Sequence, residues 1–237
     1  MKRIHLAVMV AALLGGASVA ACEPSHPADG GRAEDKRNSP DMITLPAPNY
    51  DGRVSVEEAL RKRRSVREYK DEQLTLKEVS QLLWAAQGVT DTAKGLRTAP
   101  SAGATYPLEA YVVVGNVEGV KQGAYKYSPL QHQLTKVRDA DVRAELAAAL
   151  GQAQVGKAGV IIVFFAVYER TTAKFGEIGM RYVHMEAGHA AQNVYLQAAS
   201  LSLGTTVIGG FPEGRVKKVL NVPGNEQLLY IMPVGRM

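Results

Sequence analysis

The chain has 237 residues, with 28 Lys+Arg against 23 Asp+Glu, a formal charge of +5, 46% apolar residues and 22% charged ones. These proportions belong to a folded globular protein with material for a real core, and they exclude a disordered chain, a collagen-like repeat and a polytopic membrane protein. The single cysteine excludes a disulfide framework and a multi-cysteine metal site. The charge excess is too mild to argue for nucleic acid.

The first segment reads as an address. Lys2 and Arg3 form a short positive start, and Ile4 to Ala21 carries no Asp, Glu, Lys or Arg. It ends in Val19-Ala20-Ala21-Cys22. A basic start, an apolar run and small residues at the end are the pattern of a secretory signal over 1–21. Val-Ala-Ala-Cys resembles a bacterial lipobox, which makes Cys22 a lipid attachment point and the protein an exported, membrane-anchored lipoprotein of periplasm or cell surface. The other readings of this segment are plain secretion and an uncleaved anchor. With Cys22 lipidated, the domain that follows holds no thiol.

Residues 22–49 contain Pro24, Pro27, Pro40, Pro46 and Pro48 among Gly, Ser, Asp, Arg and Lys. Such a composition buries too little to offset its ordering entropy and is expected to be a flexible tether. The globular domain is expected over 50–237. Ser55-Val56-Glu57-Glu58 predicts a capped helix to about Arg63, and Thr75-Leu76-Lys77-Glu78 a second, closed by Gly88. Glu109 to Gly115 predicts a strand. Ala124 to Ser128 and Gln133 to Val137 predict an edge hairpin. Asp139 to Leu150 predicts an Ala-rich helix ended by Gly151. Gly159 to Val167 is the most apolar strand, and its lack of alternation predicts cover on both faces. A long helix is expected from Ile178 to Leu203, with the small run Ala187-Gly188-His189-Ala190-Ala191 in its middle for close approach of another helix. A strand at Thr205 to Ile208, a helix from Pro212 to Leu220 and a strand from Leu228 to Val234 finish the chain. The alternation predicts one three-layer α+β or α/β domain.

Four stretches carry candidate chemistry. In Arg61-Lys62-Arg63-Arg64-Ser65-Val66-Arg67 the guanidinium forks and a hydroxyl suit a phosphate, although the run also fits a solvated basic face. Thr98-Ala99-Pro100-Ser101-Ala102-Gly103-Ala104-Thr105-Tyr106-Pro107 is a rigid small-residue loop whose backbone can meet a flat polar ring, or an ordinary turn. Val207-Ile208-Gly209-Gly210-Phe211 places two glycines after a strand, where a planar ligand can approach the backbone. Arg181-Tyr182-Val183-His184-Met185-Glu186-Ala187-Gly188-His189-Ala190-Ala191-Gln192-Asn193 repeats polar groups along a mostly buried helix. His184 and His189 are five apart and diverge, so they make a poor metal pair, and no metal site is expected.

Taken together and in this order, these stretches resemble the FMN-dependent nitroreductase family, and within it the SagB-type dehydrogenases, which oxidise azolines to azoles in modified peptides. The resemblance runs from about Val54 to Arg236 and includes the ending Ile231-Met232-Pro233-Val234-Gly235-Arg236. It implies a mixed sheet flanked by helices in a homodimer, with FMN at each interface. It implies that Arg63, Arg64, Ser65 and Arg67 hold the phosphate, joined by Arg236. It implies that Pro100, Ser101, Ala102 and Gly103 approach the flavin from the partner subunit, that Ile208, Gly209 and Gly210 lie along the ring, and that Glu186 and Asn193 stand near it. Azoline-oxidising members use a Lys-Tyr pair; the corresponding residues here are Arg181 and Tyr182. An arginine stays charged and is a poor base, so the azoline reaction itself is in doubt while flavin binding is not.

The expected function is an FMN oxidoreductase acting on a small-molecule or peptide substrate, with NAD(P)H as a donor in vitro. An exported protein rarely meets NAD(P)H, so oxidation of a substrate with electrons passed to oxygen, a quinone or another carrier is the expected direction. The alternative is a non-catalytic anchored lipoprotein that keeps the fold as a flavin-binding or interaction module. A nucleic-acid role loses on compartment and on charge.

Overall fold

The computed structural model describes residues 42–237. The signal segment, Cys22 and the tether as far as residue 41 lie outside the described residues. The helices are α1 (Val56–Lys62), α2 (Leu76–Gln87), α3 (Arg143–Leu150), α4 (Glu169–Phe175), α5 (Ile178–Ser200) and α6 (Glu213–Leu220). The strands are β1 (Met42–Thr44), β2 (Val89–Asp91), β3 (Leu96–Arg97), β4 (Leu108–Val114), β5 (Gly123–Ser128), β6 (Gln133–Arg138), β7 (Val160–Ala166), β8 (Leu203–Thr205) and β9 (Gln227–Arg236).

Seven strands form one sheet in the order β1-β6-β5-β4-β7-β9-β8, while β2 and β3 pair separately. The ladders are antiparallel, with parallel bridges added at Ser65–Thr205 and Leu74–Val117. The two central strands explain the layering. All seven residues of β7 are buried. Because side chains alternate along a strand, Val112, Ile162 and Phe164 face one way and Tyr111, Val113, Ile161, Val163 and Phe165 the other. The first set packs with Val79, Leu82 and Leu83 of α2 and Val183, Ala187, Ala190 and Val194 of α5. The second packs with Val142 next to α3, Leu146 of α3, and Val216 and Leu220 of α6. The fold is therefore α+β in three layers, with the sheet covered on both faces. Among the described residues no helix is long and apolar enough to cross a membrane.

Several boundaries differ from the sequence expectation. Met42–Thr44 pairs with β6 and Leu45 is buried, so the ordered domain includes residues expected in the tether. That added strand makes the β5–β6 hairpin internal and β1 the edge. The α3 helix starts at Arg143, where the Asp141 carboxylate accepts the Arg143 N–H at 3.1 Å. The α5 helix ends at Ser200, and Leu203–Thr205 is a strand. The chain leaves the helix at Ser202, at φ 57. Gly204 serves packing in β8, because a Cβ there would stand 2.6 Å from Val66. The α4 helix and the β2–β3 pair carry no periodic signal long enough to read.

Candidate functional site

The α1 helix begins at Ser55, whose Oγ accepts the Glu58 N–H at 3.1 Å, and ends at Arg63. Beyond it the chain runs extended beside β8, where the Val66 N–H bonds the Thr205 carbonyl at 2.9 Å. This carries Ser65 against the C-terminal half of α5. There the Tyr195 hydroxyl lies 3.1 Å from Ser65 Oγ and accepts the Val207 N–H at 2.8 Å. The Arg63 guanidinium stands 5.3 Å from the Tyr195 ring centroid. One buried tyrosine thus ties the arginine–serine run to the glycine turn. Tyr195 was not singled out in the sequence; its place in an ordinary helical core pattern hides it.

The turn itself is anchored by Ile208, which exchanges both backbone bonds with Ile231 at 2.8 and 3.0 Å. Gly209 and Gly210 beyond it are exposed. A Cβ at Gly210 would meet nothing within 4 Å, and one at Gly209 only the Tyr230 ring at 3.4 Å. Thr206, just before the turn, is buried with Oγ1 unpartnered. Arg63 is half-buried and Arg67 exposed, both on the same short segment. A cationic, hydroxyl-bearing run beside an open backbone turn fits a ligand with a phosphate at one end and a planar ring at the other.

Two arginines expected at the phosphate, Arg64 and Arg236, have other partners. Arg64 folds back onto the carbonyls of Arg61 and Arg63 at 2.9 and 2.7 Å, closing the C-terminal end of α1. Arg236 forms a forked pair with Glu78 at 2.6 and 2.9 Å and bonds the Gln73 carbonyl. Glu78 is also the reciprocal partner of Thr75 in the α2 capping box. Arg236 thereby locks the last strand to the α2 start.

The second group lies at the other half of α5. Glu186, nine residues before Tyr195, is about 13 Å away along the helix. It is buried and its Oε1 has no partner. Arg97 lies nearby, bonded to Gln87 Oε1 at 2.9 Å and placed 4.4 Å over the Tyr106 ring. Burial pushes the Glu186 carboxyl up to about 7, only partly offset by the Ser101 hydroxyl and the Arg97 charge, which lower it. Asn193 bonds the Thr98 carbonyl at 3.4 Å and lines a cleft of about 830 Å³ with Gln81, Trp84 and Gln197. That cleft does not reach Ser65 or the glycine turn.

Arg181 is exposed at the start of α5, and Tyr182 packs edge-on to Phe175 at 5.3 Å. His184 bonds the Tyr168 hydroxyl at 2.5 Å, while His189 is exposed. Among the described residues no group of three ligating side chains could hold a metal.

The raised Glu186 carboxyl has a consequence for stability. Between its ordinary 4.5 and about 7 the folded chain keeps a proton that the unfolded chain has lost. Stability therefore falls as pH rises through that window, by about 2 kcal/mol. Denaturation at pH 5 and pH 8 measures this, and Glu186→Gln is expected to remove that part of the slope.

The comparisons with known proteins agree with this fold. The nitroreductase family model matches residues 60–236. A protein of Methanocaldococcus jannaschii named as a nitroreductase is 49% identical over 197 residues, covering 83% of this chain and 98% of its own. A crystal structure from Ralstonia eutropha, also named a nitroreductase, has a TM-score of 0.73 at 32% identity and covers 82% of this chain and 89% of its own. The microcin-processing protein McbC of Escherichia coli is 28% identical over 155 residues, 63% of this chain, and the match spans little more than half of McbC, 57%. Fold and matches together define an oxidoreductase. The chain belongs to the nitroreductase family.

Proposed function

We propose that this oxidoreductase uses FMN, held between two copies of the chain, to oxidise or reduce a small-molecule or peptide substrate. The observation that carries this reading is the Tyr195 hydroxyl, which joins Ser65 of the arginine–serine run to Val207 at the head of the glycine turn. Arg63 and Arg67 hold the phosphate, with Ser65 Oγ as a further bond. Gly209 and Gly210 let the ring approach the backbone, next to the unpartnered Thr206 hydroxyl. Bound FMN supplies reversible two-electron chemistry; the chain supplies binding and electrostatics.

The second copy is supported by α5. Met185, Gly188, His189 and Gln192 form an exposed stripe along it, and a Cβ at Gly188 would meet nothing within 4 Å. A two-fold contact at Gly188 sets the first half of one α5 beside the second half of the other. It brings the 100–103 loop of one copy toward Ser65 and Tyr195 of its partner. Tyr182, packed edge-on to Phe175, is the candidate proton donor to substrate in this arrangement, and the exposed Arg181 beside it in sequence is the other candidate catalytic residue. A peptide substrate is supported by the likeness to McbC, whose name records the processing of microcin B17. The Val19-Ala20-Ala21-Cys22 signature supports export and anchoring through a lipidated Cys22, with NAD(P)H as a donor in vitro and another carrier in place.

The test is the visible absorbance of the purified full-length chain before and after adding FMN. A bound-flavin spectrum that NAD(P)H bleaches is the expected result. A colourless protein that cannot be loaded overturns the reading and leaves the non-catalytic alternative.

A further inference from the structure

A second cavity, of about 460 Å³, opens against β4, β5 and β6, and Arg97, Glu109, Lys126 and Arg170 stand on its wall. Neither Ser65 nor the glycine turn lies on it. Its charges do not balance. Glu109 pairs with Arg170 and, at 3.0 Å, with Lys126, which also pairs with Glu226 at 2.6 Å. Two carboxylates thus answer these two cations, and Arg97 is left over. Among the described residues no carboxylate pairs with the Arg97 guanidinium, which bonds the neutral Gln87 Oε1 at 2.9 Å and lies 4.4 Å over the Tyr106 ring. That bond uses one of its five N–H donors. The nearby Glu186 carboxyl is kept protonated below about 7 by burial. Burial also disfavours the charge on Arg97, so an anion that reaches it there is attracted more strongly than it would be in water.

We propose that this cavity is a binding site for a small monocarboxylate with an apolar body, its carboxylate held by Arg97 and backed by Arg170 and Lys126. A guanidinium fork matches the two oxygens of a planar carboxylate. The cation excess is a single charge, which a monoanion balances; a phosphate dianion exceeds it and is repelled by Glu109. Lys126 spends two of its three donors on Glu226 and Glu109 and keeps one for the ligand. Val137 of β6 and Pro129 add the apolar lining that suits the body of such an acid. Gln87 and the Tyr106 ring hold Arg97 in place, and the Tyr106 carbonyl holds Arg170 at 3.0 Å, so the ligand meets preformed donors. The site stands apart from the FMN reading, because Arg63, Ser65 and Arg67 take no part in it.

The experiment titrates benzoate, benzamide and inorganic phosphate at about pH 6 into full-length wild type, Arg97→Gln and Thr135→Phe, with and without FMN, and follows heat of binding and thermal denaturation. At that pH benzoate is ionised, as exposed carboxylates are, and Glu186 is not. Wild type is expected to bind benzoate and to melt higher in its presence, whether or not FMN is added. Benzamide, with the same shape and no charge, and phosphate are each expected to bind at least about tenfold more weakly. Arg97→Gln is expected to weaken benzoate by about 10–100-fold. Thr135 lines the cavity from β6, so Thr135→Phe fills it while leaving every charge in place. It is expected to lose benzoate too, and it decides the matter if Arg97→Gln does not fold. Failure of wild type to bind benzoate, equal affinity in wild type and either variant, or benzamide or phosphate bound as tightly as benzoate overturns the proposal. Displacement of benzoate by FMN places it at the flavin site and overturns the proposal as well, while leaving FMN binding intact.

Discussion

Replacing Arg63 and Arg67 together by alanine is expected to weaken FMN binding by about 10²–10³-fold. Each guanidinium bond to a phosphate contributes roughly 1.5–3 kcal/mol, and the exposure of Arg67 and partial exposure of Arg63 put both near the low end. The fold is expected to survive, because neither side chain lies in the core clusters. Arg63 loses its place over the Tyr195 ring, a contact of about 0.5–1 kcal/mol at an exposed site. Arg64→Ala is the informative control. Its guanidinium is turned onto the α1 carbonyls, so it is expected to leave FMN affinity within about twofold and to lower stability slightly. Fluorescence titration with FMN and thermal denaturation of the three variants separate the two effects. Unchanged flavin affinity in the double variant refutes the phosphate assignment.

Glu226→Ala is expected to cost about 3 kcal/mol of stability and to lower the melting temperature by roughly 6–12 °C. Glu226 is buried just before β9 and holds two groups from the sheet. It accepts the Tyr111 hydroxyl at 2.8 Å and pairs with Lys126 Nζ at 2.6 Å. Lys126 in turn reaches Glu109 at 3.0 Å, and Glu109 pairs with Arg170. Burial alone would lower the Lys126 ammonium, but its bonds to Glu226 and Glu109 raise it overall. Removing Glu226 leaves the Tyr111 hydroxyl inside the protein without an acceptor and strips Lys126 of one of its two carboxylates. Glu226→Gln retains a carbonyl for Tyr111 and is expected to lose less than half as much. Chemical denaturation of both variants measures the difference; equal stability of Glu226→Ala and wild type would show that water replaces the network without loss.

Much of the architecture is visible along the chain. The α2 capping box needs only Thr75 and Glu78, three residues apart, and both of its reciprocal bonds are formed. The apolar run Val160-Ile161-Ile162-Val163-Phe164-Phe165 predicts a strand covered on both faces, and every residue of β7 is buried. These signals are local, because periodicity and capping act within a turn or a pleat. The boundaries that moved are those where a distant pairing overrides local preference. Met42–Thr44 lies in a proline-rich stretch and becomes a strand because β6 offers its edge. Leu203 to Thr205 leaves the helical pattern because β9 offers hydrogen bonds.

Residue order alone carries the three-layer class, the family resemblance and the residue types available for a phosphate and a planar ring. Which of those residues stand together depends on how the elements pack. Tyr195 meets Ser65 across 130 positions of chain, Arg236 meets Glu78 across 158, and Glu226 meets Tyr111 across 115. A guanidinium reads the same in a sequence whether it is open to a ligand or closed on a carboxylate. Its partner is set by how helices and strands pack, and the free energy of that packing is distributed over contacts that no local window contains.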